Sequence, residues 1–148
     1  MAHTYHKLLF HVVFSTKHRQ PLITPDWQPD LYAYIGGILR NRKTDLLAAG
    51  GMPDHIHLLL KHPAGAALAD TVRDLKAVSS KWRHDAGHPA FAWQTGYGAF
   101  SVSQSMADTV SGYIGCQEDH HRGRSFQDEF TELLRRHAIE YDAQYLWD

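Results

Sequence analysis

The chain has 148 residues and a mass of 16.8 kDa, the size of a single globular domain. Hydrophobic residues form 43% of it and charged residues 21%, values that exclude a wholly disordered protein. Cys116 is the single cysteine and cannot close a disulfide within the chain. No apolar stretch predicts a membrane span or a secretion signal, so we expect one cytoplasmic domain over residues 1–148.

Charge is distributed unevenly along the chain, although the net charge is only −1. Residues 1–83 carry eleven Lys and Arg against six Asp and Glu, whereas residues 84–148 carry four against ten. A basic half set against an acidic half is compatible with a polyanionic partner.

Hydrophobic periodicity predicts the secondary structure of the first half of the chain. The first three predicted elements are a strand over residues 6–16, a basic loop over 17–21 and a helix over 27–43. A short strand over 46–49, a turn over 50–53 and a strongly apolar strand over 54–61 follow. In the first strand Val12 and Phe14 belong to the set that faces a core, whereas His11 and Val13 face the other way.

The second half begins with the strongest helix prediction and ends with two more helices. The predicted elements are a helix over residues 67–84, a short strand over 91–93 and another strand over 99–103. Two helices, over 105–121 and 126–137, follow. Ser105 and Asp108 form a capping box that opens the first of the two late helices, and Gly123 ends it. An aromatic tail follows at Tyr141, Tyr145 and Trp147.

This order of elements predicts an α+β fold with a ferredoxin-like or RRM-like antiparallel sheet. Two helices would cover one face of the sheet, and the two late helices would be additions at the C-terminus. The first and third strands are usually neighbours in this topology.

Two histidines one residue apart mark the third strand. Because strand side chains alternate, His55 and His57 lie on one side of it, while Ile56 and Leu58 point toward the helices. His11 on the neighbouring first strand is expected to lie near the pair. Two neutral imidazoles suit a metal ion. With twelve histidines in the chain, about one His-x-His pair arises by chance, so surface histidines are the alternative.

A second group lies on the predicted helix over residues 105–121. Tyr113 and Gln117 are four residues apart, so they lie one turn apart on one helix face. The neighbouring face carries Met106, Val110 and Ile114, which can dock the helix on the sheet. A half-buried tyrosine beside a solvated glutamine is the alternative interpretation.

Together these motifs resemble the single-tyrosine transposases of minimal bacterial insertion sequences and their REP-associated relatives. Residues 52–59, MPDHIHLL, look like the HUH motif of that family, in which a bulky hydrophobic residue separates two histidines. Further similarity, in the family's order, covers residues 14–19, 93–97, 113–117 and 125–127. The resemblance extends from about Tyr5 to Trp147.

The resemblance implies a mechanism and a site. His55 and His57 would bind a divalent metal, Mg²⁺ or Mn²⁺, with Gln117 as the third ligand and Tyr113 as the nucleophile. The family forms a 5′-phosphotyrosine and frees a 3′-OH on single-stranded DNA with subterminal hairpins. It works as a homodimer in which the nucleophile helix of one subunit can complete the metal site of the other.

Seven basic residues are candidate contacts to DNA phosphates. They are Lys17, His18, Arg19, Arg73, Lys76, Lys81 and Arg83. Trp82 or Trp93 could stack on an unpaired base. Solvated surface charges and core aromatics are the alternative interpretation of these residues.

The sequence therefore predicts a metal-dependent single-stranded DNA transposase. A domesticated REP-associated enzyme acting on dispersed hairpin repeats is the alternative within the family. A non-catalytic RRM-like module is another, although its sheet would expose aromatic residues where the first strand has Lys7, Leu9, His11 and Val13. A third is a small zinc hydrolase using His55, His57 and another histidine, which would form no covalent adduct at Tyr113.

Overall fold

The computed structural model describes residues 3–147. Its strands are β1 (Leu8–Ser15), β2 (Asp45–Met52), β3 (His55–His62) and β4 (Gly98–Val102). Its helices are α1 (Gln28–Asn41), α2 (Leu68–Asp85), α3 (Ala107–Gly115), α4 (Gln117–His120) and α5 (Phe126–Arg136). None of the helices within these described residues is both long and apolar enough to cross a membrane.

The strands form one antiparallel sheet in the order β2-β3-β1-β4. The α+β prediction is confirmed, and β1 and β3 are neighbours as expected. In the register of these two central strands, Ser15 lies opposite His55 and Val13 opposite His57. The histidine pair therefore lies in the middle of the sheet.

One face of the sheet packs against α1 and α2. Val12 and Phe14 of β1 and Ile56 and Leu58 of β3 are fully buried there, with apolar residues of both helices. Burial of apolar surface, at about 25 cal/mol per Å², is the main stabilisation of such a layer. The alternation predicted for β1 and β3 is confirmed.

The other face is covered as well, by the C-terminal third of the chain. Val13 and Phe100 from the sheet form a second core with residues of α5, namely Phe126, Phe130 and Leu134. His11 is buried on this face, with only 4% of its surface exposed. Helices were predicted on one face of the sheet only, whereas both of its faces are covered in the structure. The tail joins the second core through Leu146 and Trp147.

The turn predicted over residues 50–53 is shorter and lies later, at Pro53 and Asp54, because β2 continues through Gly50 and Gly51 to Met52. The glycines serve close packing instead of turn formation. A Cβ atom added at Gly50 would lie 2.0 Å from the backbone oxygen of Ile114 in α3. Only glycine lets the α3 backbone approach β2 this closely.

The single helix predicted over residues 105–121 is wrong. It is interrupted at Cys116, whose φ of −110° and ψ of 29° end α3 before α4 begins. The helix starts at Ala107, and the Ser105 hydroxyl bonds to that of Ser103 at 3.0 Å instead of capping it. The strand predicted over residues 91–93 is reduced to one bridge between Thr16 and Trp93.

Candidate active site

The site is built on the histidine pair of β3. His55 and His57 have no exposed surface, and their rings point away from the α1 and α2 core. The pleat of the strand determines this direction, because Ile56 between them belongs to that core. The two histidines are thus core residues of the second face, and the alternative of surface histidines is wrong.

Each imidazole is oriented through its Nδ1 atom. His55 Nδ1 lies 2.7 Å from a carboxylate oxygen of Asp54, and His57 Nδ1 lies 2.8 Å from Nε2 of His11. Burial, together with the neighbouring His57, lowers the pKa of His11 to about 3, so its ring is neutral. These contacts fix the rings so that both Nε2 atoms face the same space, as in metal sites where a hydrogen bond to the other ring nitrogen orients each histidine.

That space is filled by the carboxylate of Glu129, which comes from α5. Its Oε1 atom lies 2.9 Å from His57 Nε2 and 3.2 Å from His55 Nε2, and the side chain has no exposed surface. Burial alone would raise the pKa of Glu129, but hydrogen bonds from His55 and His57 lower it well below its usual range. The carboxylate is therefore ionised and joins the two imidazoles.

Tyr113 reaches this carboxylate from α3. Its hydroxyl donates a hydrogen bond to Oε2 of Glu129, and its ring lies edge-on to His57 with centroids 5.8 Å apart. Burial and the hydrogen bond to Glu129 raise the pKa of Tyr113 above its usual value, so the phenol keeps its proton. One carboxylate thus connects the tyrosine to the histidine pair.

Gln117 and His121 complete the cluster from the segment that follows the helix break. The Gln117 side-chain oxygen lies 3.4 Å from His55 Nε2 and 3.1 Å from His121 Nε2, and its amide donates to the Tyr113 carbonyl at 3.2 Å. His121 Nε2 lies 3.1 Å from Oε1 of Glu129. Gln117 is buried, so the alternative of a solvated glutamine is wrong.

A set of four side chains in this cluster can hold a metal ion. One ligand atom from each of His55, His57, His121 and Glu129 lies within 4.8 Å of the others. Glu129 and His121 were not predicted from the sequence. The available signal was a carboxylate on the apolar face of α5, since Glu129 is three residues after Phe126 and four before Leu133.

Two clefts border the cluster. The larger, of about 770 Å³, is lined by Tyr113 together with His120, Arg124 and Arg136. The smaller, of about 430 Å³, is lined by His121, Arg124 and Arg19. Arg124 therefore lies between the two clefts, and basic side chains line both.

The seven candidate DNA contacts are divided between two regions. Lys17, His18 and Arg19 follow β1, and Arg19 lines the smaller cleft. The other four lie on α2, on the opposite face of the sheet, and contact protein groups. Arg73 pairs with Asp70 and Lys81 with Asp85, Arg83 stacks on Trp27, and Lys76 donates to the carbonyl of Gln94 at 2.9 Å.

Helix α3, which carries Tyr113, lies against the site of its own chain. Tyr113, Glu129 and His57 are linked within one chain. The reason is local. Residues 103–106 connect β4 to α3 by a short 3₁₀ turn, and Gly50 allows α3 to rest directly on β2.

Comparison with known proteins is consistent with this architecture. The family model "Transposase IS200 like" matches residues 4–117. The ISDra2 transposase TnpA of Deinococcus radiodurans is 25% identical over 122 residues, which are 77% of this chain and 86% of that protein. Both Glu129 and His121 lie beyond the span that the family model matches.

Two solved structures share the fold. A crystal structure from Deinococcus radiodurans R1, assigned as a transposase, has a TM-score of 0.63 and 24% identity, covering 77% of this chain and 93% of that one. A REP-associated tyrosine transposase bound to a REP hairpin has a TM-score of 0.56 and 20% identity, covering 77% and 68%. Since the family model matches most of the chain, the protein belongs to the IS200-like transposase family, whose members cleave DNA and transfer its strands.

Proposed function

We propose that this protein is a single-stranded DNA transposase that cleaves and rejoins insertion-sequence ends through a 5′-phosphotyrosine at Tyr113. The observation that carries the proposal is the bond from the Tyr113 hydroxyl to Glu129, whose other oxygen contacts His57 at 2.9 Å. The one phenol held at the cluster is thereby positioned beside the groups that would bind a phosphate-activating ion.

The covalent step exchanges one phosphate ester for another. The Tyr113 oxygen attacks the scissile phosphorus, the bond to the 3′ oxygen breaks, and the DNA downstream of the cut stays on the tyrosine through its 5′ phosphate. The phenol proton must leave, and Oε2 of Glu129 already accepts it in a hydrogen bond. The departing 3′ oxygen takes up a proton and becomes the free 3′-OH. The ester energy is conserved, so a 3′-OH can later reseal the strand.

A divalent ion, Mg²⁺ or Mn²⁺, is part of this proposal. His55, His57 and Gln117 would hold it, since their nitrogen and oxygen atoms converge and are of a type that such ions accept. The ion would offset the negative charge that develops on the phosphate oxygens. Asp54 and His11 keep the two histidine rings in the binding orientation.

The substrate is proposed to be a single strand flanked by a hairpin. Arg124 and Arg136 in the larger cleft, which Tyr113 also lines, and Arg19 in the smaller one could neutralise phosphates of the strand. A duplex is wider than a single strand, and Tyr113 is half-buried where it lines the larger cleft. We retain the homodimer implied by the resemblance as the assembly, and the cytoplasm as the compartment where the DNA is found.

The alternatives predict different observations. An RRM-like module binds nucleic acid on an open sheet face, whereas the described helices α3 to α5 cover that face here. A zinc hydrolase needs no tyrosine at its centre and would release DNA without a protein adduct. A domesticated REP-associated enzyme shares the chemistry, so its substrate would distinguish it.

A denaturing gel tests the proposal. Single-stranded oligonucleotides spanning the ends of the protein's own locus are labelled at either end and incubated with protein and Mg²⁺ or Mn²⁺. We expect the 3′ label to migrate with the protein and to be released by protease, while the 5′ label appears in a shorter free strand. Transfer of the 5′ label to the protein, or cleavage without any adduct, would contradict the proposal. Oligonucleotides carrying REP-type hairpins distinguish the domesticated enzyme.

A further inference from the structure

Three imidazole nitrogens face one another at the centre of the site, and the opposite nitrogen of each ring is already engaged. His121 Nδ1 lies 2.7 Å from the backbone carbonyl oxygen of Arg124, which can only accept a hydrogen bond. His121 therefore carries its ring proton on Nδ1. The Asp54 carboxylate, 2.7 Å from His55 Nδ1, fixes the same tautomer in His55.

Nε2 is then the atom of each ring that is left for another partner. Nε2 of His55 and His121 faces Oε1 of Glu129 at 3.2 and 3.1 Å, and the side-chain oxygen of Gln117 at 3.4 and 3.1 Å. A single cation between the rings and these oxygens would bind all of them at once.

We propose that His121 and Glu129 bind the same ion as His55 and His57, and that this centre selects first-row transition metals, in the affinity order Zn²⁺, then Mn²⁺, then Mg²⁺. The inference deepens the proposed function, because it assumes that an ion binds at the histidine pair. It adds two ligands that lie outside residues 4–117, where the family match ends.

The separations suit such an ion. With metal–ligand bonds of 2.0–2.1 Å, the corners of a tetrahedron lie about 3.4 Å apart. Glu129 Oε1 lies 2.9, 3.2 and 3.1 Å from Nε2 of His57, His55 and His121. The Gln117 oxygen is close enough to add a fifth position, and water or a phosphate oxygen would enter from the clefts.

The chemical nature of the ligands sets the preference. Imidazole nitrogen is a borderline ligand that suits Zn²⁺ and its neighbours, whereas Mg²⁺ prefers an octahedral shell of oxygens and gives up its water reluctantly. A centre with His55, His57 and Gln117 alone would leave most positions to water and would tolerate Mg²⁺. Adding His121 and Glu129 leaves Mg²⁺ little room for its hydration shell.

Titration calorimetry on the full-length, metal-free protein tests the proposal with Zn²⁺, Mn²⁺ and Mg²⁺ as the probes. The variants are Glu129→Gln and His121→Asn. Their matched controls are Glu132→Gln, which changes a carboxylate on the same helix outside the cluster, and His88→Asn, which changes an exposed histidine. We expect each variant to lose Zn²⁺ affinity by about tenfold or more, with the controls within about twofold of the wild type.

A second measurement uses the wild-type protein and therefore does not depend on whether the variants fold. The visible absorption of bound Co²⁺ reports the coordination of the ion in wild-type protein, and an intense four- or five-coordinate band is expected.

Unchanged Zn²⁺ affinity in both variants, with loss of binding in His57→Ala, would overturn the two added ligands while the proposed function stands. Tighter binding of Mg²⁺ than of Mn²⁺ would overturn the selectivity. Failure of all three ions to bind would overturn the inference and the metal dependence, whereas adduct formation at Tyr113 is tested separately on the gel.

Discussion

Glu129 holds Tyr113 with one carboxylate oxygen and the histidines with the other, so the phenol and the imidazoles share a single support. Individual substitutions around this carboxylate should therefore separate the formation of the covalent adduct from DNA binding. Tyr113 itself is the simplest case, because its ring also packs edge-on to His57 and stacks on His120 at 4.4 Å.

Tyr113→Phe should abolish the covalent adduct and leave hairpin binding within about twofold, since only the hydroxyl is removed. The measurement is adduct yield on the denaturing gel beside a hairpin binding titration. Tyr97→Phe is the matched control, because Tyr97 is exposed and lies in the loop before β4. An adduct that persists in the Tyr113 variant, or disappears in the Tyr97 variant, would assign the nucleophile elsewhere.

The histidine pair should behave as one unit. His55→Ala and His57→Ala are each expected to reduce the single-turnover rate of adduct formation by orders of magnitude, with at most partial rescue by Mn²⁺. The double variant should be little worse than either single one, because both rings contact the same Glu129 oxygen and, in the proposed function, would bind one ion. Additive losses on a logarithmic scale would argue for two independent sites.

The residues of the site were predictable from sequence to the extent that short motifs encode them. The alternation of β3 predicts that His55 and His57 share a face, and helical spacing relates Tyr113 to Gln117. Glu129 and His121 could not be placed in this way, because their contacts join α5 and the end of α4 to β3. Such contacts depend on which face of the sheet α5 covers, and its amphipathic pattern does not specify that.

Among the elements, α3 depends most on its neighbour. Its backbone rests on β2 at Gly50, where the oxygen of Ile114 occupies the space that a side chain would need. The same strand was predicted to end before Gly50, because consecutive glycines are typical of turns. Local sequence could not reveal that a helix more than fifty residues later requires the glycine.

Gly50→Ala should displace α3 and with it Tyr113. An added Cβ would lie 2.0 Å from a backbone oxygen that cannot move alone. We expect the free energy of unfolding to fall by about 1–3 kcal/mol, measured by urea denaturation, and adduct formation to be lost. Gly37→Ala is the control, since a Cβ there meets no atom of the described residues within 4 Å. It should stabilise α1 by about 1 kcal/mol. Wild-type stability in Gly50→Ala would contradict the docking of α3 on β2.

Lys76 links α2 to the loop before β4, and burial lowers its pKa to about 8 from 10.5. Between these values the unfolded chain binds more protons than the folded one, so the free energy of unfolding should rise with pH in this window. In Lys76→Gln that part of the rise should be absent. Urea denaturation of both proteins at pH 8 and pH 10 measures the difference. Equal increases in the two proteins would show that Lys76 keeps an ordinary pKa in the fold.

Considered as a whole, the molecule has two apolar cores on the two faces of one sheet, and the site lies within the second. The sequence order predicted the sheet and the first core, because strand and helix periods are local. The second core was not predicted, since α5 was treated as an addition. Because this core holds α5 against β1 and β3, the described chain contains Tyr113 and the histidines in one site.

Mixing two inactive proteins tests whether that site works within one chain. A Tyr113→Phe subunit keeps the histidines, and a His57→Ala subunit keeps the tyrosine. We expect the mixed sample to form no adduct, because Tyr113 contacts Glu129 of its own chain. Size-exclusion chromatography with differently tagged subunits must first show that mixed dimers exist. Rescue of adduct formation would establish the exchange between subunits that the resemblance implies.

The position of Glu129 also affects how intact genes for proteins of this kind can be counted in a genome. A copy that acquired a stop codon after residue 125 would still encode all of residues 4–117, including both histidines and Tyr113. It would lack Glu129 and every apolar residue that α5 contributes to the second core. A search by motif would score that copy as intact, although neither its fold nor its nucleophile would be supported. Estimates of how many copies can still mobilise should therefore require the final helix.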